Sequence, residues 1–394
     1  TKTSLAQRLL WNSGVHTVEG GYGVDFLQTD FVRYFQIDQA LKDFIAQRGF
    51  VVPTDETETV RYTRYNFYAQ DRIAIDERLF LQPGLRVDLY PVLKTKAYVS
   101  PRVNISYKVN DLTTIRAAYG MYVQSPGMEK QIFQSRVTFS DAAFGTLEAE
   151  RAQHYILGFD RMVTASWQFK FETYYKNFES VIVPEKLQGS RWYSQRTADS
   201  IFSVRGWTAP VRVPSDSLTS FPVNDATGKS YGFEVMLQKI RSQPTDKFTG
   251  WISYALSYAE RDRDGKITPF FFDQRHAMNI VGNYKFAEKW DVGVRFTLRS
   301  GRPYTQALGI KPRVLVARIG TLDTAVVQMD RQGKVILDVD YERDAYSGRL
   351  SLYHSLDVRF TTYPSWWQLN CAFYLDVLNV LNRKNEQILI YYID

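Results

Sequence analysis

The sequence of 394 residues contains a single cysteine, Cys371, so it can build neither an intramolecular disulfide framework nor a cysteine-based zinc site. It also lacks any apolar run of about eighteen residues, which excludes a membrane-spanning helix. That absence leaves a membrane open, because a spanning β-strand needs only about 9 to 11 residues and turns half of them inward. Mean hydropathy can then stay negative, as the value of -0.32 does. There is no block of one charge sign either: 49 basic and 42 acidic residues, net +7, are spread along the chain, which argues against a nucleic-acid partner. HExxH, GxSxG, Walker-type and dinucleotide glycine motifs are missing, and Gly20-Gly21-Tyr22-Gly23 sits inside a strand-like stretch. The four histidines, His16, His154, His276 and His354, are far apart, and no carboxylate spacing singles out an acid and base pair. No enzyme, metal centre or cofactor is therefore expected. The opening stretch TKTSLAQRLL is polar and strand-like rather than a leader, so the chain is expected to be a mature product or part of a longer one.

Aromatic residues are abundant, with 26 Tyr, 25 Phe and 8 Trp making up 15% of the chain. They fall into strands. Leu85, Val87 and Leu89 alternate with Gly84, Arg86 and Asp88; Val99, Val103 and Ile105 with Ser100, Arg102 and Asn104. Trp167, Phe169 and Phe171 alternate with Gln168, Lys170 and Glu172, and Phe233, Val235 and Leu237 with Glu234 and Gln238. In DVGVRFTLRSGRPYT, residues 291–305, Val292, Val294, Phe296 and Leu298 take one side and Asp291, Gly293, Arg295 and Arg299 the other. The period of two, repeated along the whole chain, marks an all-β protein.

Connection lengths alternate too. Short turns are expected at Ala74 to Arg78, Lys108 to Leu112, Asp160 to Ala165, Lys239 to Asp246, Phe286 to Lys289 and Tyr363 to Ser365. Long excursions are expected at 36–59, 123–151, 178–229, 259–274 and 301–350, with Pro91 to Lys94 the brief exception. An antiparallel up-and-down transmembrane β-barrel segregates its turns and loops in this way, whereas a soluble sandwich has no reason to. The scheme counts thirteen full strands and the start of another, Gln387 to Tyr392. Since bacterial single-chain barrels have even strand numbers, residues 1–394 are expected to be an incomplete barrel domain.

An apolar face on every strand, with no other elements to cover it, is expected to meet outer-membrane lipid. Trp167, Tyr174, Tyr175, Trp251, Tyr284, Trp290, Trp366 and Trp367, near strand ends, are expected to form the interfacial girdles. The opposite face would line the lumen, with Arg86, Arg102, Arg116, Arg295, Arg299 and Arg359 beside Asp88, Glu172, Glu234, Asp291, Asp357 and Asp376. Such charges pair across strands in a wet interior, or meet an inserted plug or solute. On the excursions, Arg191, Trp192, Tyr193 and Trp207 combine stacking surfaces with a donor fork suited to sugars or aromatic chelates; packing of the loop against its neighbours is the other reading.

Several phrases carry a resemblance: RYNFYAQD (64–71), LQPGLRVD (81–88), SPRVNISY (100–107), AAYGMYVQSPG (117–127), LEAERAQHYILGFD (147–160), YGFEV (231–235), FDQRHAMNIVGNYKF (272–286), SGRPYT (300–305) and LDVLNVLNRKN (375–385). In this order and spacing the chain resembles the TonB-dependent outer-membrane receptors of gram-negative bacteria, in particular receptors with large barrels. The resemblance implies a barrel of twenty-two strands around an N-terminal plug, of which this chain would supply roughly the ninth to the twenty-first strand. It also implies energy coupling to TonB through a plug absent from these residues, and import of a small solute such as a siderophore, cobalamin, glycan or peptide, with a surface lipoprotein as a further partner. The alternatives are a passive outer-membrane channel, an adhesin-like barrel or a soluble carbohydrate-binding β protein.

The face assignment is testable. In the complete parent protein, Val294→Arg should cost about 2 to 4 kcal/mol near the bilayer midplane and Arg295→Ala much less, measured by reversible unfolding in lipid. Equal tolerance at the two positions would overturn the assigned faces.

Overall fold

The computed structural model describes residues 1–33, 43, 56–127, 146–197, 199–319, 322–341, 345–366, 369–386 and 388–389. Among the described residues, fourteen strands follow one another in a hydrogen-bonded antiparallel meander in chain order. They are β1 (Lys2–Ser13), β2 (His16–Arg33), β3 (Glu56–Ala74), β4 (Leu79–Leu89), β5 (Ala97–Asn110), β6 (Thr113–Gln124) and β7 (Glu150–Met162). Then come β8 (Trp167–Leu187), β9 (Ser217–Lys239), β10 (Phe248–Arg263), β11 (His276–Ala287), β12 (Trp290–Arg299), β13 (Tyr353–Thr362) and β14 (Phe373–Val377). The fourteenth strand is Phe373–Val377; of the stretch Gln387 to Tyr392, Ile388 and Leu389 are not in a strand and the rest lies outside the described residues. The count also gains a turn at Gly14 and Val15, where Gly14 takes a φ of +54° that few other residues adopt.

Connections from an odd to an even strand are short, from 14–15 to 240–247, except 363–372, where Ser365–Trp366 pairs with Leu369–Asn370 in place of the tight turn expected at Tyr363 to Ser365. Those from even to odd are long, from 264–275 upward, apart from 90–96. The expected excursion 178–229 is partly strand, because the β8 and β9 ladder continues through bulges from Trp167↔Lys239 to Leu187↔Ser217. At 21 and 23 residues these strands are about twice the length of a minimal membrane-spanning strand, about 9 to 11 residues. The excursions 36–59 and 123–151 lie largely outside the described residues.

Contacts divide the chain into two compact units. In the first, residues 1–104 and 120–150, Leu5, Val24 and Tyr65 fall in one register, as do Ala6, Gly23 and Asn66 on the other face. Gly21 is required there, since a Cβ would sit 2.8 Å from the Tyr68 ring and 2.6 Å from the Gln7 carbonyl oxygen. The Gly-Gly-Tyr-Gly run therefore serves close strand packing. Tyr90, Leu93, Tyr98 and Ala149 form a small core over the 90–96 turn, and the Tyr98 hydroxyl accepts the Ala149 N–H at 2.9 Å.

In the second unit, residues 105–119 and 151–394, the registers align Phe171, Val235 and Tyr254 on one face and Glu172, Glu234 and Ala255 on the other. Trp167, Tyr175, Tyr284 and Trp290 share the first face. Trp251 and Tyr174 do not: Trp251 opposes Gln238 and Val281, in register with Arg295, and Tyr174 opposes Gly232 beside Glu234. Their nearness to strand ends suggested a girdle, but alternation decides the face and removes these two from it. Trp366 lies in a two-residue strand paired with Leu369–Asn370, and Trp367 is outside the described residues. After β14 the side chain of Asn385 takes the place of a strand, accepting from the His354 N–H at 3.1 Å and donating to its carbonyl at 3.0 Å.

In the 240–247 turn, Asp246 Oδ2 accepts from the N–H groups of Ser242 at 2.8 Å and Gln243 at 3.1 Å. These donors hold its carboxyl below the usual value of 3.8. A depressed carboxylate stabilises above its unfolded pKa, and that stability is lost as pH falls through the folded value. Amide exchange at Ser242 and Gln243 should therefore stay protected down to about pH 4 and lose protection below it. In Asp246→Asn the acid-dependent loss should vanish; an unchanged profile would refute the carboxylate's role.

Candidate functional site

The charged face is laid out by register and mostly neutralised locally. Arg295 opposes Asp357 on β13, and its Nε and Nη2 donate to Asp357 Oδ2 at 3.0 and 2.6 Å. Arg359 forms a two-pronged pair with Asp376 at 2.6 and 2.7 Å and lies 4.6 Å from the Tyr374 ring centroid. Arg86 grips Asp88 two residues along its own strand at 2.7 Å, and Arg116 pairs with Asp160. Arg102 stacks 4.8 Å over the Tyr122 ring. Glu234 faces Glu172 across the ladder, like beside like, and Arg299 opposes Ala277 and Tyr353. Among the described residues neither Glu234 nor Arg299 has an oppositely charged group within 4.0 Å. A concavity of about 380 Å³ opens between the Arg295 and Arg359 pairs, where Gly293 leaves room beside Asn283.

The excursions at 188–216 and 300–352 are built rather than loose. Ser190–Tyr193 pairs with Val211–Pro214, so Arg191 and Tyr193 share one face of that hairpin while Trp192 stands on the other, opposite Arg212. Arg191 lies 5.5 Å from the Tyr193 ring centroid and 4.0 Å from Asp340. Trp207 joins neither group. It is 6% exposed, gives its indole N–H to the Ile201 carbonyl at 2.8 Å, and packs with Val327 and Val335 from the later excursion. The four residues singled out in the sequence are therefore not one constellation: Arg191 and Tyr193 are together, Trp192 is apart, and Trp207 is a core residue that welds the two excursions. A tryptophan flanked by Gly206 and Thr208 gives no sequence signal to tell welding from ligand stacking.

The same zone holds further stitches. The Val335 N–H donates to the Phe202 carbonyl at 3.0 Å. Arg313 grips Asp338 at 2.6 Å and holds its carboxyl below the ordinary range. Lys186, at the far end of β8, lies 3.1 Å from Asp264 and 3.2 Å from Asp216, two carboxylates that push its ammonium pKa up.

Sequence reasoning missed Asp273. It is 3% exposed, accepts the Ala259 N–H at 2.9 Å, pairs with Arg349, and has Arg275 Nε at 3.6 Å. Arg349 Nη1 also donates to the Asp273 and Gly301 carbonyls at 2.9 and 3.3 Å. FDQR (272–275) and SGRPYT (300–305) thus lie on two sides of one junction. A Cβ on Gly301 would lie 1.7 Å from the Leu350 carbonyl oxygen, so only glycine fits there. Groups of three or more metal-ligating side chains do not occur among the described residues.

Comparisons with known proteins bear on this arrangement. The fold is similar to that of the siderophore receptor PirA from Acinetobacter baumannii, with a TM-score of 0.58 at 12% identity over 97% of this chain and 50% of that one. It is similar also to the FrpB iron transporter from Neisseria meningitidis, TM-score 0.57 at 15% identity over 95% of this chain and 50% of that one. A third is the ferripyoverdine receptor of the outer membrane of Pseudomonas aeruginosa bound to ferripyoverdine, TM-score 0.57 at 13% identity over 97% and 44% of the respective chains. The chain thus spans about half the length of these structures. No curated protein matches it. The family described as TonB dependent receptor-like, beta-barrel matches residues 2–375, and with a meander of this topology over that same span the chain belongs to that family.

Proposed function

We propose that this chain is the solute-binding and conducting barrel portion of an outer-membrane receptor that imports a scarce small solute. The energy comes from TonB through a plug domain, and a surface lipoprotein is a further partner. One observation carries the reading: the excursions 188–216 and 300–352 share a core of Trp207, Val327 and Val335, which makes a preorganised surface layer instead of separate floppy loops. Binding residues on such a layer lose little entropy when a solute docks. Arg191, with Tyr193 beside it, contacts the solute, and Trp192 contributes from the reverse side of the hairpin; Trp207 supports them from within. The likeness to a siderophore receptor, an iron transporter and a ferripyoverdine receptor favours an iron chelate over cobalamin, glycan or peptide.

In this reading the apolar face meets hydrocarbon. Leu157 is 58%, Ile252 47%, Val294 38% and Phe360 43% exposed, and no other element covers them among the described residues. A stripe of that kind on every strand needs an apolar solvent. The Arg295–Asp357 and Arg359–Asp376 pairs then line a wet lumen, where Glu234 and Arg299 remain available to a plug or a passing solute.

The test is Trp207→Ala in the full-length receptor. Truncating a buried tryptophan costs about 3 to 5 kcal/mol locally, more than a loop layer of this size can absorb. Limited proteolysis should cut within 188–216 and 300–352, and solute-dependent growth should fall at least about tenfold while the barrel stays heat-modifiable on gels. Normal uptake with the loops cleaved open would refute the reading.

A further inference from the structure

Where β10 gives way to β11 the alternation breaks into three consecutive phenylalanines, Phe270 to Phe272. Phe271 and Phe272 are 45% and 63% exposed. Nothing hydrophobic is gained by leaving such rings in water, at about 25 cal/mol for each Å². Yet they are organised: Phe271 and Phe272 meet edge to face at 4.8 Å, Phe270 lies 5.7 Å from Phe272, and Tyr346 of the following excursion lies 6.3 Å from Phe271. Tyr346 is held at a φ of +64°, a conformation costly for a bulky side chain, with its N–H donating to Thr305 Oγ1 at 3.2 Å. The buried junction of Asp273 with Arg349 follows directly and fixes the base of the cluster.

Charge distinguishes what the cluster would take. Arg349 is consumed by Asp273, whereas the Arg302 guanidinium lies 5.9 Å from the Phe271 centroid with no carboxylate within 4.0 Å of it among the described residues. A neutral sugar would cover the rings and leave Arg302 unanswered. A small inorganic anion would answer Arg302 and leave the rings wet. A flat ring carrying a negative group satisfies both, stacking on phenylalanine while its anionic edge meets the planar fork of the guanidinium.

We propose that Phe271, Phe272, Tyr346 and Arg302 form a binding site for a planar aromatic anion. This rests on the reading of the excursions as solute-facing and names the class of solute group they select. It is separate from the Arg191 and Tyr193 hairpin.

Saturation-transfer NMR on the full-length receptor in detergent, with salicylate as probe and benzyl alcohol, sulfate and maltose as comparators, tests it. Wild type should transfer saturation to the salicylate ring, and neither sulfate nor maltose should compete. Phe272→Ala should weaken salicylate binding about tenfold or more, roughly the loss of one stacking contact. Arg302→Gln should weaken salicylate by a similar factor but leave benzyl alcohol unchanged, and Arg302→Lys should restore part of the loss. Heat-modifiability on gels shows that each variant retains its barrel. Equal salicylate binding in wild type and Phe272→Ala, or displacement by maltose, overturns the inference. A receptor that imports its solute normally yet ignores salicylate sinks this site and leaves the transport reading standing; salicylate binding without import does the reverse.

Discussion

Backbone pairing is the constraint on which the rest depends. A strand in hydrocarbon cannot leave N–H or C=O groups unpaired, so each strand must run beside its neighbour for its full span, and the pairing fixes which side chains share a face. Once Arg295 is opposite Asp357, Phe296 is opposite Leu356 with no further choice. Ion pairs and aromatic stacks such as Phe171 with Phe233, at 6.1 Å, are then decorations of a register already set. Even the break after β14 obeys this rule, since Asn385 lends its side-chain amide to the backbone of His354.

Beyond the span the logic changes from lipid to ordinary packing. The connection 188–216 and the excursion before β13 share a small core of their own around Trp207, and buried ionic stitches such as Asp273 with Arg349 add to it. A carboxylate that is 3% exposed is tolerable because an N–H and a guanidinium both answer it. Side chains such as Arg191 and Tyr193 are thereby carried on a packed layer and not on separate loops.

Much of the fold was legible because a period of two is local: Val292 to Leu298 can be read without knowing any neighbour. Turn positions were legible for the same reason, as at Phe286 to Lys289. The reading weakened where a residue's role depends on distant chain. Trp251 was placed by nearness to a turn, and only its pairing with Val281 shows that it stands with the charged residues. For Trp207 the sequence left ligand contact and packing both open, because nothing local reveals Val327 and Val335, more than a hundred residues away. Asp273 and Arg349 carried no signal at all individually, since a buried ion pair between two excursions is a property of their meeting.

The junction at Gly301 and Leu350 has one more implication. The excursion it encloses leaves and re-enters the sheet at a single seam, closed by the Leu350 N–H donating to the Arg302 carbonyl at 3.0 Å and by Pro303 paired with Arg349. With the neck tied, lengthening the segment beyond it adds only about 0.6 kcal/mol for each doubling and transmits no strain downward. Insertions there can thus be accommodated outside the residues packed on Trp207 while the wall below keeps its geometry.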